Sequence, residues 1–264
     1  MTSASSGFLR SLTDGQIAWI VIENEARLNA FTRDMWAAVP SIIAAADADP
    51  AVRVIIVRGA GSKAFSAGAD ISEFGSNRTG KAARAYDEIN HAAYEAVLGA
   101  RKPTIAMVHG YCFGGACELA ICCDLRVAAE GASFSVPAAR LSLGYNPRWI
   151  KPMLAVMSAA KVKEMLFTAR RYAATEALTM GLVNAVVPAA SLETETMRLA
   201  REIADNAPLT LRAAKASVDA FATSPEGASL AELDRMVLAC FDSDDFKEGA
   251  RAFLEKRKPV FRGF

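Results

Sequence analysis

"HGYCFGGACELAICCD", His109 to Asp124, decides how this chain is read. It begins inside an apolar run, "KPTIAMVHGYCFGG" (102–115), that reads as a strand. Gly114-Gly115 then open a helix. Glycine allows the backbone angles of a tight turn, and the first amides of a helix have no partner within it. Among the Ala, Cys, Leu and Ile of that helix stands one carboxylate, Glu118. A carboxylate in apolar surroundings is costly unless it is paired, hydrogen-bonded or protonated. Glu118 is therefore a candidate for chemistry.

On either side, strands alternate with helices. "QIAWIVIENE" (16–25), "AVRVIIVRGAG" (51–61), "CDLRVAAEGASFS" (123–135) and "GLVNAVVP" (181–188) read as further strands, the third of them open to splitting at Glu130-Gly131. Their continuous apolar runs predict a sheet covered on both faces. "TRDMWAAVPSIIAAADAD" (32–49), which Pro40 is expected to kink, and "GKAARAYDEINHAAYEAVLGA" (80–100) read as helices. The alternation predicts an α/β core with crossover connections. After Pro188 the strands stop and amphipathic helical segments follow. They are too small to bury much alone, so they should pack on the core or on another subunit. The division is expected as 1–200 for the core and 201–264 for the helical region.

Bulk properties exclude several classes. With 30 basic and 29 acidic residues the net charge is +1, so no strong field for nucleic acid or membrane is expected. An anionic ligand would need local basic residues. "MTSASSGFLRSLTDG" has neither the basic flank nor the apolar run of a signal peptide, and no segment reads as a bilayer span, so a cytoplasmic location is expected. The five cysteines show no zinc spacing and read as small core residues. With only His91 and His109, no metal site is expected and a Ser-His-Asp triad is disfavoured; His109 reads as structural.

A second glycine-rich turn, "GAGSKAFSAGADISEF" (59–74), also follows a strand. In parallel sheets such turns collect on one edge, where ligand sites form. Side by side, the two turns could each give one N–H to a single oxygen, which is the geometry of an oxyanion hole. On spacing alone, each also reads as an ordinary tight turn.

"AFSAGADISEF" together with "HGYCFGGACELAICCD" resembles the crotonase, or enoyl-CoA hydratase/isomerase, superfamily. The likeness continues through "FSVPAARLSLGY", "KVKEMLFTARRYAATEALTMGLVNAVVP", "NAPLTLRAAK" and "EGARAFLEKRKPVFRG", nearly the whole chain in order. It implies an α/β fold: a spiral of β-β-α units followed by a C-terminal helical trimerisation region. It also implies an acyl-CoA thioester ligand, with coenzyme A entering as part of the substrate and no other cofactor. Self-association as a homotrimer or hexamer is implied as well. The oxyanion donors fall on the N–H groups of Ala69 and Gly115, which would polarise the thioester carbonyl and hold an enolate. The CoA-binding positions fall on Arg27, Leu28, Ala30, Ala67, Asp70, Ile71 and Gly114, with Arg27 as a phosphate contact and Asp70 orienting its turn. Lys258 and Phe261 resemble tail positions that close over CoA, often from a neighbouring subunit. Glu118 matches a catalytic glutamate and would face the substrate's α and β carbons, its pKa raised by the apolar setting.

The chain departs from the pattern at two places. Family hydratases carry a second glutamate after a proline; here that dipeptide is Pro137-Ala138. Adding water needs a base for the water and an acid for the carbon, and one carboxylate would have to serve both through a shared water. Downstream, "GYNPRW" (144–149) replaces a glycine-rich run. "LGYN" is similar to the methylmalonyl-CoA decarboxylases of the superfamily, which implies that Tyr145 contacts a substrate carboxylate or assists proton delivery. Those enzymes have His where this chain has Ala69. Arg140 or Arg148 could then hold the carboxylate. Asn146 stands where the superfamily's aryl-CoA dehalogenases place an aspartate nucleophile, a role an amide cannot fill. The leading reading is a hydratase-like lyase with Glu118 as sole acid/base. The alternatives are a malonyl- or methylmalonyl-type decarboxylase using Tyr145, and a catalytically impaired CoA-ester-binding protein. The pocket wall is expected from the 72–98 region.

Overall fold

The computed structural model describes residues 7–73, 80–223 and 229–264. The chain opens with a hairpin, β1 (Phe8–Asp14) and β2 (Ile17–Glu23), turning at Gly15 with φ +56°. Helix α1 (Arg33–Ala48) starts at Thr32, whose hydroxyl accepts the Met35 N–H at 3.2 Å. Pro40 does not interrupt α1; the stripe Met35, Trp36, Val39 and Ile43 is buried along its length.

Three β-β-α turns follow. They are β3 (Val54–Gly59), β4 (Ala64–Ser66) and α2 (Gly80–Leu98); β5 (Thr104–Val108), β6 (Tyr111–Phe113) and α3 (Gly115–Ile121); and β7 (Leu125–Ala129), β8 (Ser133–Ser135) and α4 (Pro147–Val156). In each, the first strand enters a six-stranded sheet and the second a four-stranded one. With β9 (Tyr172–Ala173) and β10 (Ala185–Val187), the sheet orders are β1-β2-β3-β5-β7-β10 and β4-β6-β8-β9. Successive turns pair in parallel, β3 with β5 with β7 and β4 with β6 with β8. This is the expected spiral. The single strand expected over 102–115 is two strands, because Gly110 bends the chain with φ +54°. A Cβ there would lie 1.9 Å from the Lys63 carbonyl oxygen. The run 123–135 splits at its Glu130-Gly131 turn.

Strand periodicity sorts the core into two layers. Ile55, Val57, Ala106 and Val108 face one cluster, with Trp36, Tyr94 and Leu119. Val54, Ile56, Ile105 and Met107 face the other, with α7 (Leu192–Ala204), following α5 (Ala159–Thr168) and α6 (Ala174–Met180). Residue 200 lies inside α7, and Ala200 is buried against the sheet. Beyond it, α8 (Pro208–Thr223), α9 (Leu230–Phe241) and α10 (Asp244–Glu255) expose apolar side chains, Leu238, Phe241 and Phe253 among them. Among the described residues no helix is long and apolar enough to cross a membrane.

Candidate active site

The two glycine turns lie side by side. A Cβ on Gly68 would be 2.7 Å from the Phe113 carbonyl oxygen and 3.6 Å from the Gly114 Cα. The first turn is held by Phe31, whose N–H donates to the Gly68 carbonyl and whose carbonyl accepts the Asp70 N–H, both at 2.8 Å. Because alternate amides of an extended segment point to opposite sides, the Ala69 N–H faces away from Phe31. The second turn is tied to β8 by the Gly114 N–H donating to the Ser135 carbonyl at 2.8 Å. Gly114 has φ +56°, and the next amide, Gly115, is the first of α3 and has no acceptor within its helix. Ala69 and Gly115 line one cavity of about 530 Å³.

Glu118, one turn into α3, is fully buried, and its Oε2 accepts the Tyr145 hydroxyl at 2.7 Å. Its Oε1 is buried without a hydrogen-bond partner among the described residues. Burial pushes the carboxyl from 4.5 up to about 8, the Tyr145 hydrogen bond pulling the other way. Burial likewise holds the Tyr145 phenol well above its usual range. At neutral pH Glu118 is therefore a proton donor more than an acceptor. Tyr145 lines the cavity and Glu118 does not. The Tyr145 ring, set just before α4, lies at the cavity wall with its hydroxyl on the Glu118 carboxyl.

The family model for enoyl-CoA hydratase/isomerase matches residues 13–263. The chain belongs to the enoyl-CoA hydratase/isomerase family. It is similar to a crotonyl-CoA hydratase of Syntrophomonas wolfei, 36% identical over 249 residues, which cover 93% of this chain and 94% of the relative. It is also 36% identical over 219 residues to a carnitinyl-CoA dehydratase of Escherichia coli O157:H7, covering 81% and 83%. Among solved structures, an enoyl-CoA hydratase/carnithine racemase from Magnetospirillum magneticum superposes with a TM-score of 0.92 at 36% identity, covering 97% of this chain and 96% of that one. The chain is thus an enzyme of the enoyl-CoA hydratase family, on the crotonase fold.

Most of the positions expected from the family pattern meet at this cavity. Arg27, Ala30, Ala67, Asp70, Ile71 and Gly114 line it. Arg27 Nη1 donates to both Asp70 carboxylate oxygens, at 3.0 and 2.8 Å, and to Ser72 Oγ at 2.7 Å. Burial raises the Asp70 carboxyl, but the Ser72 hydrogen bonds and the Arg27 charge outweigh it and hold the group below its usual range. Leu28 stands apart from the wall. With φ +53°, it accepts the Ala67 N–H on its carbonyl at 2.9 Å. Lys258 and Phe261 do not line this cavity within the chain. Lys258 Nζ pairs with Asp205 at 2.5 Å, and Phe261 packs beside Gly249 among α8, α9 and α10.

The arginines of the decarboxylase reading also lie elsewhere. Arg140 is exposed, and Arg148 forms an exposed ion pair with Glu88. Asn146 caps α4, accepting the Arg148 N–H at 3.0 Å. From the 72–98 region, Ser72, Asn90 and Tyr94 line the cavity, while 74–79 lie outside the described residues. Asn90, Tyr94 and Trp149 went unread in the sequence. The available signal was a polar Asn four residues before a Tyr on the buried stripe of α2.

Proposed function

We propose that this enzyme is an enoyl-CoA hydratase-like lyase acting on an acyl-CoA thioester through an enolate. In this reading the N–H groups of Ala69 and Gly115 hold the thioester oxygen as charge develops on it. Glu118 is the sole carboxyl acid/base, and Tyr145 carries its proton to the cavity. The observation that supports this most is the 2.7 Å Tyr145–Glu118 hydrogen bond, at the wall of a cavity that Ala69 and Gly115 also line. Hydration moves one proton from water to the α carbon while the water oxygen joins the β carbon. The water oxygen joins the β carbon to give the enolate, Tyr145 gives its hydroxyl proton to the α carbon, Glu118 restores it, and the proton released by the added water passes through the Tyr145 hydroxyl back to Glu118. The balance closes without a second carboxylate, which fits Ala138 on the cavity wall. Arg27, at the Asp70 side of the cavity, is the candidate contact for the CoA phosphates.

The test is loss of the conjugated enoyl absorbance of crotonyl-CoA. Wild type should turn over, and Glu118→Gln should lower the rate by at least ~10²-fold. Absence of turnover at high enzyme concentration would remove the hydratase reading. Release of CO₂ from malonyl- or methylmalonyl-CoA would put a decarboxylase in its place. Tight CoA-ester binding with no chemistry on a broad panel would leave a binding protein.

A further inference from the structure

We propose that the wall made by Asn90 and Trp149 recognises a neutral polar acyl group, one that bears a hydroxyl beyond the reacting carbons, rather than a plain aliphatic chain. The inference rests on the site being one for acyl-CoA.

Both residues line the cavity and are nearly closed off from solvent, Asn90 at 2% and Trp149 at 7% exposure. Asn90 Oδ1 and Trp149 Nε1 are buried with no hydrogen-bond partner among the described residues. Such orphans are rare, because a buried polar atom left unpaired loses its water for nothing. Asn90 stands one helical turn before Tyr94 on α2, so both project from the same face. The Tyr94 hydroxyl donates to the Gly115 carbonyl at 3.1 Å, which places this wall against the start of α3. Trp149 meets Tyr94 and Tyr145 edge-to-face, with ring centroids 5.7 and 5.5 Å apart. The Trp149 ring therefore packs on the Tyr145 ring whose hydroxyl bonds Glu118, and Asn90 stands one turn from Tyr94, which also meets Trp149.

An aliphatic acyl chain would be served as well by Leu and Phe at these positions, with no orphan atoms. An amide offers both an acceptor and donors, whichever way it is set, and an indole N–H only donates. A hydroxyl can donate to an acceptor such as Asn90 Oδ1 or accept from a donor such as Trp149 Nε1, the two roles these atoms leave open. A carboxylate fits poorly, since among the described residues of the wall the cation is Arg27, which lies at the Asp70 side and is assigned to the CoA phosphates. A cationic group is also disfavoured, because the carboxylate on the wall, Asp70, is neutralised by its pair with Arg27.

The test uses the full chain and unreactive saturated thioesters, so that binding is read without turnover. Calorimetry would compare butyryl-CoA, 4-hydroxybutyryl-CoA and 4-trimethylammoniobutyryl-CoA. The hydroxylated ester should bind at least about tenfold tighter than butyryl-CoA, because a site built to hydrogen-bond a hydroxyl rejects the analogue that lacks it. Asn90→Leu should bring that ratio to about one, and Trp149→Phe should reduce it, with thermal unfolding reporting that each variant is folded. Equal or tighter binding of butyryl-CoA, preference for the ammonium ester, or a ratio that survives in a folded Asn90→Leu would overturn the proposal. Failure of crotonyl-CoA hydration with this preference intact would sink the lyase chemistry and leave the recognition standing.

Discussion

Glu118 has two oxygens in different surroundings, one bonded to Tyr145 and one buried with no partner among the described residues. Its folded-state pKa of about 8 lies above the 4.5 of a free side chain. Below about pH 4.5 the folded and unfolded chains both hold this proton. Between there and about 8 the unfolded chain loses it and the folded one keeps it. Stability should therefore fall as pH rises through that window, with the loss complete above it. Glu118→Gln removes the ionisation and keeps an acceptor for Tyr145. Denaturant unfolding should show little difference between variant and wild type at about pH 4. Above about pH 8 the variant should gain up to roughly 5 kcal/mol. A gain independent of pH would mean that Glu118 ionises freely. Tyr145→Phe tests the partner. Its hydrogen bond lowers the Glu118 pKa, so its loss should raise that pKa further and move the basic limb of the activity profile upward. The rate should also fall, by about 10²-fold if the hydroxyl carries the proton. A rate drop with an unmoved limb would separate Tyr145 from the carboxyl.

At the scale of the element, the site depends on two turns touching. Gly68 has φ +95°, and an added methyl there would sit 2.7 Å from the Phe113 carbonyl oxygen. Gly68→Ala should strain the turn by about 1–3 kcal/mol. It should also spread the two N–H groups apart, lowering turnover by about 10²-fold where the fold survives. Circular dichroism with kinetics checks this; full activity in Gly68→Ala would mean that the apposition is not needed. These turns were legible in the sequence because glycine pairs after apolar runs have few other uses. The Gly110 bend was not, since apolar residues continue on both sides of it and periodicity alone cannot see the Lys63 carbonyl pressing in. β1 was missed because its residues are almost all exposed and carry no apolar stripe. Glu118 was legible as a buried carboxylate. Its screening by Tyr145, 27 residues later in the chain, was not, because that contact is purely tertiary. Asn90 and Trp149 stayed hidden for the same reason: each sits within an amphipathic helix, and only the folded cavity shows that one polar atom of each has no partner among the described residues.

At the scale of the molecule, α8, α9 and α10 leave apolar surface uncovered. Val218, Phe221, Val237, Leu238, Phe241 and Phe253 are all exposed, a concentration that marks an interaction surface more than a solvated face. The cavity is also short of its expected tail contacts, because Lys258 and Phe261 lie on these helices' side of the chain. Both features are explained if copies of the chain associate through the helical region and a neighbour's Lys258 and Phe261 close over the coenzyme. Sedimentation should then find three or six copies of the 28.1 kDa chain, with no monomer at micromolar concentration. Leu238→Glu places a charge on the apolar face, where burying it unpaired costs several kcal/mol. The variant should dissociate while keeping its circular dichroism. Because the missing contacts act on the coenzyme and not on the reacting carbons, dissociation should raise KM by about tenfold and change kcat less. A folded monomer of the wild-type chain with an ordinary KM would show that this surface serves another partner.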